Sequence, residues 1–294
     1  MKNIAFIVNP IAGTTKAKNK VAKHIRELLD LQQFSPSIVV TEYPGHATQL
    51  AQQFALEGYY AVIAVGGDGT VNEVASGLRG TKTALCIVPN GSGNGFARHL
   101  DISTRMNRAI EMLNTSEAID VDYGLVNDIP FFCTCGVGFD ALVAQDFGSN
   151  TRGLQGYIES IFKDFFQYQP ENYQLKDDNT DLSTSAFLIN FANASQWGNN
   201  AYIAPKASIQ DGWLDVAIVN QLPLLDTAEF AWQLFTKKLH ENLHMHSLRT
   251  KEMTLIRENQ ESPVHIDGTP VTITGDLKVS IVENGLKVLV KKRF

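Results

Sequence analysis

Three glycines in four positions surround one acid at Gly66-Gly67-Asp68-Gly69, and Thr70-Val71-Asn72-Glu73 follows at once. Glycine carries no Cβ, so the backbone N–H groups of such a turn can come close to a ligand. The apolar run from Tyr59 to Val65 reads as a buried strand. Val71, Val74 and Leu78 share a helical face, so the spacing predicts a helix from Thr70. A helix start adds unpaired N–H groups and a positive dipole end to the same space, which suits phosphate. Asp68 stands out there, because a carboxylate repels phosphates unless Mg²⁺ lies between. The plainer alternative is a tight turn in which Asp68 caps the helix.

Other elements carry loops to the same place. Ile4 to Val8 is a strand that ends in Asn9-Pro10-Ile11-Ala12-Gly13, and a helix follows from about Lys16 to Leu31. Ser37 to Thr41 is the next strand, His46 to Glu57 the next helix, and Ala84 to Val88 a fourth strand closing in Pro89-Asn-Gly-Ser-Gly-Asn-Gly95. Alternation of this kind predicts a doubly wound parallel sheet with helices on both faces and ligands at the carboxyl ends of its strands. The loops 9–13, 41–46, 66–70 and 91–95 all fall at those ends.

After about Asp120 the texture changes to short strands. Val121 to Val126 and Phe131 to Val137 flank an Asn127-Asp128 turn, and further strands are expected at 185–193, 214–219, 252–256, 264–266, 271–274, 277–282 and 286–290. The predicted architecture is α/β with two domains. Residues 1–121, completed by 286–294, form the α/β part that carries the phosphate-binding loops, and 122–285 an antiparallel β-sandwich. Two helices interrupt the second part, one from Leu154 to Phe166 and a long one from Asp226 to about His246. The stripe Ala228, Trp232, Phe235, Leu239 and Leu243 on the long helix reads as core, with a lipid-facing role for some of them as the alternative.

Composition narrows the function. The 294 residues are 44% hydrophobic and carry a net charge of −6, which speaks against binding nucleic acid through a broad basic surface. No apolar run is long enough to span a bilayer, and the short apolar start does not resemble a signal peptide. Cys86, Cys133 and Cys135 are too few and too oddly spaced for a disulfide framework, so they read as core thiols of a cytoplasmic protein.

Taken together, the motifs resemble the diacylglycerol kinase-like lipid kinases, which include bacterial soluble lipid kinases and sphingosine kinases. The resemblance runs through nearly the whole chain. Its most specific part is Gly66-Gly67-Asp68-Gly69-Thr70 with Asn72-Glu73; NAD kinases share Gly-Gly-Asp-Gly-Thr but usually lack the continuation. Asn9-Pro10 with Gly13, Thr41 with His46-Ala47, and Pro89-x-Gly91-Ser92 with Asn94 are similar to the family's other nucleotide loops. The segment Ser208-x-x-Asp211-Gly212-Trp213 is similar to one that holds a structural Mg²⁺ in some bacterial members. By that resemblance Ser208, Asp211 and Trp213 are its ligands, the first and last through carbonyls; a plain Asp-Gly turn explains the same residues. Ile266-Asp267-Gly268 resembles the late Asp-Gly-Glu motif.

Two positions depart from the family pattern. Gly95 stands where bacterial members carry an acid, and Thr269 where the family has a glutamate often assigned as proton acceptor, which leaves Asp267 for that role. The resemblance implies that ATP lies against Asn9, Gly13, Gly66 to Thr70 and Ser92, with Mg²⁺ oriented by Asp68 and Arg98 as a supplementary cation. A lipid hydroxyl from a cleft between the domains would attack the γ-phosphate and give its proton to Asp267. It also implies a peripheral membrane contact, while a homodimer stays open. A member that binds without transfer, and a NAD kinase, are the rival readings. His240-Glu241-Asn242-Leu243-His244 matches a zinc-protease pattern but has no third ligand at a suitable spacing.

Overall fold

Strand β1 (Lys2–Val8) buries every residue from Ile4 to Val8 and sets the frame of the first half of the protein. The computed structural model describes residues 1–12, 17–149, 165 and 167–292. The chain divides into two compact units, Met1–Tyr123 with Gly198–Asn200 and Glu283–Phe294, and Gly124–Trp197 with Ala201–Val282.

In the first unit β1 pairs in parallel with β2 (Phe34–Val40) on one side and β3 (Ala61–Gly66) on the other. β3 pairs in parallel with β4 (Ala84–Pro89), and the end of the last strand, β16 (Leu277–Lys291), joins β4 through Val288 and Leu85. β3 and β4 are buried along their whole length, so they read as unbroken apolar runs rather than alternating ones. Helices α1 (Ala17–Leu28), α2 (His46–Leu56), α3 (Asp68–Leu78), α4 (Gly95–His99) and α5 (Met106–Met112) complete the unit. The chain steps from β1 outward to β2 and then back past β1 to β3. Right-handed crossovers therefore put α1 on one face and α2 and α3 on the other. The strand order reverses between β1 and β3, and ligands of open α/β sheets sit outside the strand ends at such a point.

Strand β5 (Ser116–Val126) begins in the first unit, ends in the second and turns into β6 (Ile129–Phe131) through Asn127 and Asp128, both at positive φ, 43° and 67°. The strand expected over 131–137 breaks at Phe132-Cys133, and β7 (Thr134–Gly138) continues in another sheet. That antiparallel sheet runs β12 (Met245–Thr250), β11 (Leu214–Val219), β10 (Leu188–Ala192), β7, β14 (Val264–Ile266), β15 (Thr269–Val271). The facing sheet has the first part of β16, then β13 (Glu252–Arg257), β8 (Glu171–Lys176) and β9 (Asp181–Ala186). Phe131, Val137, Leu175, Ile189, Phe191, Val216, Leu255 and Val279 meet between the sheets as a sandwich core. The alternate residues Leu188, Ala192, Ala217 and Val219 face the other way, in a second cluster with Phe139 of α6 (Phe139–Ser149) and Leu234 of α7 (Thr227–Thr236).

Three expectations need correction. Helix α3 begins at Asp68, two residues before Thr70, because Gly67 is extended and serves as its N-cap. The long helix expected to His246 ends at Thr236, where Lys237 takes a left-handed φ of 64°; a 3₁₀ turn over Leu239–Glu241 and strand β12 follow. On it Gln233 and Leu234 point inward, while Ala228, Trp232, Phe235 and, further on, Leu243 are exposed; of the expected core stripe Leu239 alone is buried. The strand expected at 271–274 lies at Thr269–Val271, since Asp267 and Gly268 form the hairpin turn. The helix expected over 154–166 lies outside the described residues apart from Phe165. No helix among the described residues is long and apolar enough to cross a membrane.

Candidate functional site

The loops that follow β1, β2, β3 and β4 are tied to one another by their polar side chains. Asn9 and Thr70 span the point where the strand order reverses: Asn9 Nδ2 donates to Thr70 Oγ1 at 3.0 Å, and the Asn9 N–H donates to the Val65 carbonyl at 3.0 Å. Asn9 Oδ1 in turn accepts the Ile11 N–H, which shapes the exposed turn at Pro10. Asn90 Nδ2 donates to the Ala12 carbonyl and so brings the loop after β4 to the loop after β1. Thr41 donates its N–H to Val8 and extends the β1–β2 pairing by one bond.

Asp68 ties the third loop to the fourth. Its carboxylate oxygens accept the Asn94 and Gly95 N–H groups at 2.8 and 2.7 Å, so it caps α4 rather than its own helix. Asn94 sits at a left-handed φ of 54° and folds its side chain back onto Gly91, accepting that N–H and donating to its carbonyl. Gly91 has to be glycine here, because a Cβ would stand 2.5 Å from the Gly67 Cα. Glu73 does comparable work for the second loop: its two oxygens accept the Gly45 and Ala47 N–H groups at the start of α2. That accounts for an acid on the third helix as a fixed brace for a neighbouring helix N-terminus.

The brace leaves the loop backbones presented outward. Gly69 and Ser92 are exposed, and the first N–H groups of α3 have no partner within their own helix. Asn72 lies half-buried one turn in, accepting the Ser76 hydroxyl. Arg98 supports the same rim, with Nε on the Gly93 carbonyl at 3.0 Å and Nη1 on Asn200 Oδ1 at 3.2 Å. The sequence reading did not include the Gly198–Asn200 excursion, although Gly-Asn-Asn at positive φ (131°, 49° and 64°) is a turn signal. Tyr43, stacked on His46 at 4.5 Å with half its surface open, was also not anticipated. Gly13 lies outside the described residues.

Asp267 occupies the β14–β15 hairpin turn at a φ of 49°. Its Oδ1 accepts the Cys133 and Thr134 N–H groups at 2.7 and 3.0 Å, and Phe132 donates to Oδ2 at 3.0 Å and to Oδ1 at 3.2 Å. Those three amides sit where the chain leaves one sheet for the other, so this carboxylate fixes the crossing. Next to it lies a buried cluster that no spacing announced. His265 Nε2 meets Asp140 Oδ2 at 3.0 Å, and Asn190 Nδ2 donates to the same oxygen at 3.0 Å. The Gly268 N–H approaches His265 Nδ1 at 3.4 Å, which makes Nε2 the donor in the neutral ring. Gly136 makes room for the cluster, since a Cβ there would stand 2.4 Å from Asp140 Oδ2. A polar residue inside a fully apolar strand, as Asn190 is in β10, was the available signal.

The donor sets can be weighed against a cation. Asp68 presents two hard carboxylate oxygens held in place on backbone amides, a donor type that fits contact with a hydrated Mg²⁺ through water. No group of three His, Cys, Asp or Glu side chains gathers among the described residues. At the proposed second site Asp211 pairs with Arg249 and accepts the Trp213 N–H, while Ser208 Oγ accepts the Gln210 N–H. The guanidinium supplies the positive charge a metal would bring, so that turn does not fit a cation as it stands. The zinc-protease pattern is dispersed too: His244 bonds Asp226 at 2.7 Å and lies outside any helix. Burial pushes the Cys86 thiol up to about 12. It raises Cys135 well above the ordinary thiol value as well, with the charges of Asp140 and Asp267 adding to the effect.

Comparison with known proteins identifies the family. Residues 3–126 match the diacylglycerol kinase catalytic domain, and residues 133–290 match the YegS C-terminal NAD kinase beta sandwich-like domain. A probable lipid kinase YegS-like protein of Chromohalobacter salexigens is 30% identical over 64% of this chain and 63% of its own length. A diacylglycerol kinase of Bacillus subtilis is 27% identical over 77% of this chain and 76% of its own. The chain spans 64% and 63% of the lengths of two of the relatives it matches. A diacylglycerol kinase structure from Bacillus anthracis superposes with a TM-score of 0.76 over 98% of this chain and 97% of its own, at 20% identity, and so shares the fold. With both domain models matched in order along its length, this chain belongs to the YegS and diacylglycerol kinase family of lipid kinases.

Proposed function

We propose that this chain transfers the γ-phosphate of ATP to a hydroxyl group of a lipid. The observation that carries the reading is the Asp68 brace: a carboxylate inside a glycine-rich phosphate loop, fixed on the Asn94 and Gly95 amides at the strand-order reversal. The names of the relatives, lipid kinase and diacylglycerol kinase, support the acceptor class. Phosphoryl transfer depends mainly on positioning and charge neutralisation. Mg²⁺ bound with ATP supplies part of that neutralisation, and Asp68 would hold it through water. The chain's own part is a preformed rim: the N–H groups of Gly67 to Thr70 and the Ser92 loop receive phosphate oxygens. Asn9, Thr70, Asn72, Glu73 and Asn94 keep that rim in place, and Thr41 lines its edge.

Asp267 is assigned as the acceptor of the lipid hydroxyl's proton. Oδ2 accepts the Phe132 N–H at 3.0 Å and is the oxygen assigned to that step. General-base help of this kind is worth about 10²–10⁴-fold. The protein works in the cytoplasm and meets the bilayer peripherally to reach its substrate. The test is transfer of labelled γ-phosphate from ATP·Mg²⁺ into a panel of lipids in mixed micelles, with NAD as a control acceptor. A labelled lipid that disappears in Asp68→Ala and Asp267→Asn supports the reading. ATP binding without any labelled product overturns it.

A further inference from the structure

An apolar stripe runs along the solvent side of α7, flanked by the exposed Glu229 and Thr236. Ala228, Ala231, Trp232 and Phe235 recur at helical spacing on the exposed side, while Phe230, Gln233 and Leu234 turn toward the protein. Trp232 and Phe235 keep 55% and 56% of their surface open. Leu224 and Leu225, in the 3₁₀ turn that leads into the helix, keep 64% and 90%, and Leu243 beyond it keeps 90%. Large apolar side chains exposed together in one short segment mark a surface that meets something.

The chemistry at the end of the stripe says what it meets. Lys237 and Lys238 close the helix, both exposed, with Nζ 4.6 Å from the Tyr202 ring and 5.3 Å from the Trp232 ring. Neither lysine pairs with a carboxylate among the described residues. Of the acids of the segment, Asp226 binds His244 and Glu241 lies 4.0 Å from His240, while Glu229, beside the apolar face, accepts from the neutral Gln233 amide. Tryptophan and tyrosine beside lysine, at the border of an apolar face, is the arrangement that settles at a membrane–water interface. Lysine at that level is attracted to anionic headgroups. A second copy of the chain fits less well. A ten-residue helix is roughly 15 Å long and 10 Å across, so its outer face offers roughly 150–300 Å², against about 800 Å² per partner in a stable dimer.

We infer that the outer face of α7 with Leu224 and Leu225 docks this protein on an anionic bilayer, Trp232 and Phe235 entering the headgroup boundary and Lys237 and Lys238 meeting lipid phosphates. This deepens the lipid-kinase reading and rests on it for its purpose, but it can be tested alone. Flotation with vesicles of phosphatidylcholine, with and without phosphatidylglycerol, measures the docking. Trp232→Ser with Phe235→Ser should lower partitioning about tenfold or more. Lys237→Glu with Lys238→Glu should weaken binding to the phosphatidylglycerol vesicles and change little on the neutral ones. Circular dichroism and light scattering on the same samples check folding and oligomeric state. Unchanged flotation of the folded Trp232/Phe235 variant overturns the inference, as does a dimer that becomes monomeric in that variant while vesicle binding persists. In the transfer assay the variant should lose turnover of vesicle-embedded lipid and keep turnover of a dispersed short-chain lipid. Absence of turnover with every lipid strikes the kinase reading, and the flotation result still decides the surface.

Discussion

Asp68 in the first unit and Asp267 in the second are both carboxylates that accept backbone N–H groups from a distant segment, but they hold different things. Asp68 holds a loop: two amides at the start of the five-residue α4, with the exposed Ser92 and Gly69 nearby. Asp267 holds a sheet crossing, three amides where β6 gives way to β7. A brace on a loop sets how well a ligand is received. A brace at the point where the chain crosses from one sheet to the other sets how the two sheets are joined. The difference teaches that an acid in a motif can serve chemistry and architecture together, and that the two must be separated by substitutions that remove one and keep the other.

Asp267 gives the largest effect. Asp267→Asn keeps an oxygen for the amides and removes the base, so turnover should fall about 10²–10⁴-fold while the denaturation midpoint moves little. Asp267→Ala should lose turnover and in addition about 1–3 kcal/mol of stability, because buried amides are left without an acceptor. Transfer assays and urea titrations on both variants read the two roles apart. Full turnover in Asp267→Asn would make the residue purely architectural.

Asp68 sharpens the comparison from the other side. Asp68→Asn retains one acceptor oxygen but not two, so the Asn94 and Gly95 amides are only half satisfied. The expected result is a raised KM for ATP together with a lowered kcat, and a stability loss of about 1 kcal/mol. An unchanged KM would show that the brace does not shape the nucleotide rim. Glu73 follows with a smaller effect. Glu73→Ala removes the acceptor of two N–H groups at the start of α2 and should cost about 1–2 kcal/mol in thermal unfolding, with a modest change in KM.

How much of this was legible in the sequence follows from the range of the interactions. Strands β3 and β4 announce themselves because a buried parallel strand is a local run of apolar residues. Gly66 to Thr70 announces itself because the turn needs its glycines within five positions. The Glu73 brace does not, since its partners Gly45 and Ala47 lie 28 and 26 residues away and no local pattern encodes the pairing. The same holds for Asp140, Asn190 and His265, which meet only when α6, β10 and β14 are assembled. The α7 stripe shows a further limit. Apolar residues at helical spacing define a face, but period alone cannot say whether it turns to a core or to an apolar partner outside.

Asp215 supplies the contrast to both braced acids. Its Oδ2 is buried with no hydrogen-bond partner among the described residues, and Arg249 Nε lies 3.9 Å away. Burial raises its carboxyl above the ordinary value of 3.8, Arg249 opposes the rise, and Asp211 adds to it. The folded chain then holds this proton to a higher pH than the unfolded chain. Stability falls as pH climbs from 3.8 toward the raised value, and the loss is complete above it. Asp215→Asn removes the ionisation, so it should be more stable than the parent at neutral pH, and the advantage should vanish in acid below the ordinary carboxyl value. Thermal unfolding of the two proteins across that range checks it. A variant less stable than the parent at neutral pH would mean that the Arg249 attraction outweighs the burial. Asp215 would then belong with Asp68 and Asp267 as a carboxylate whose partners offset its desolvation.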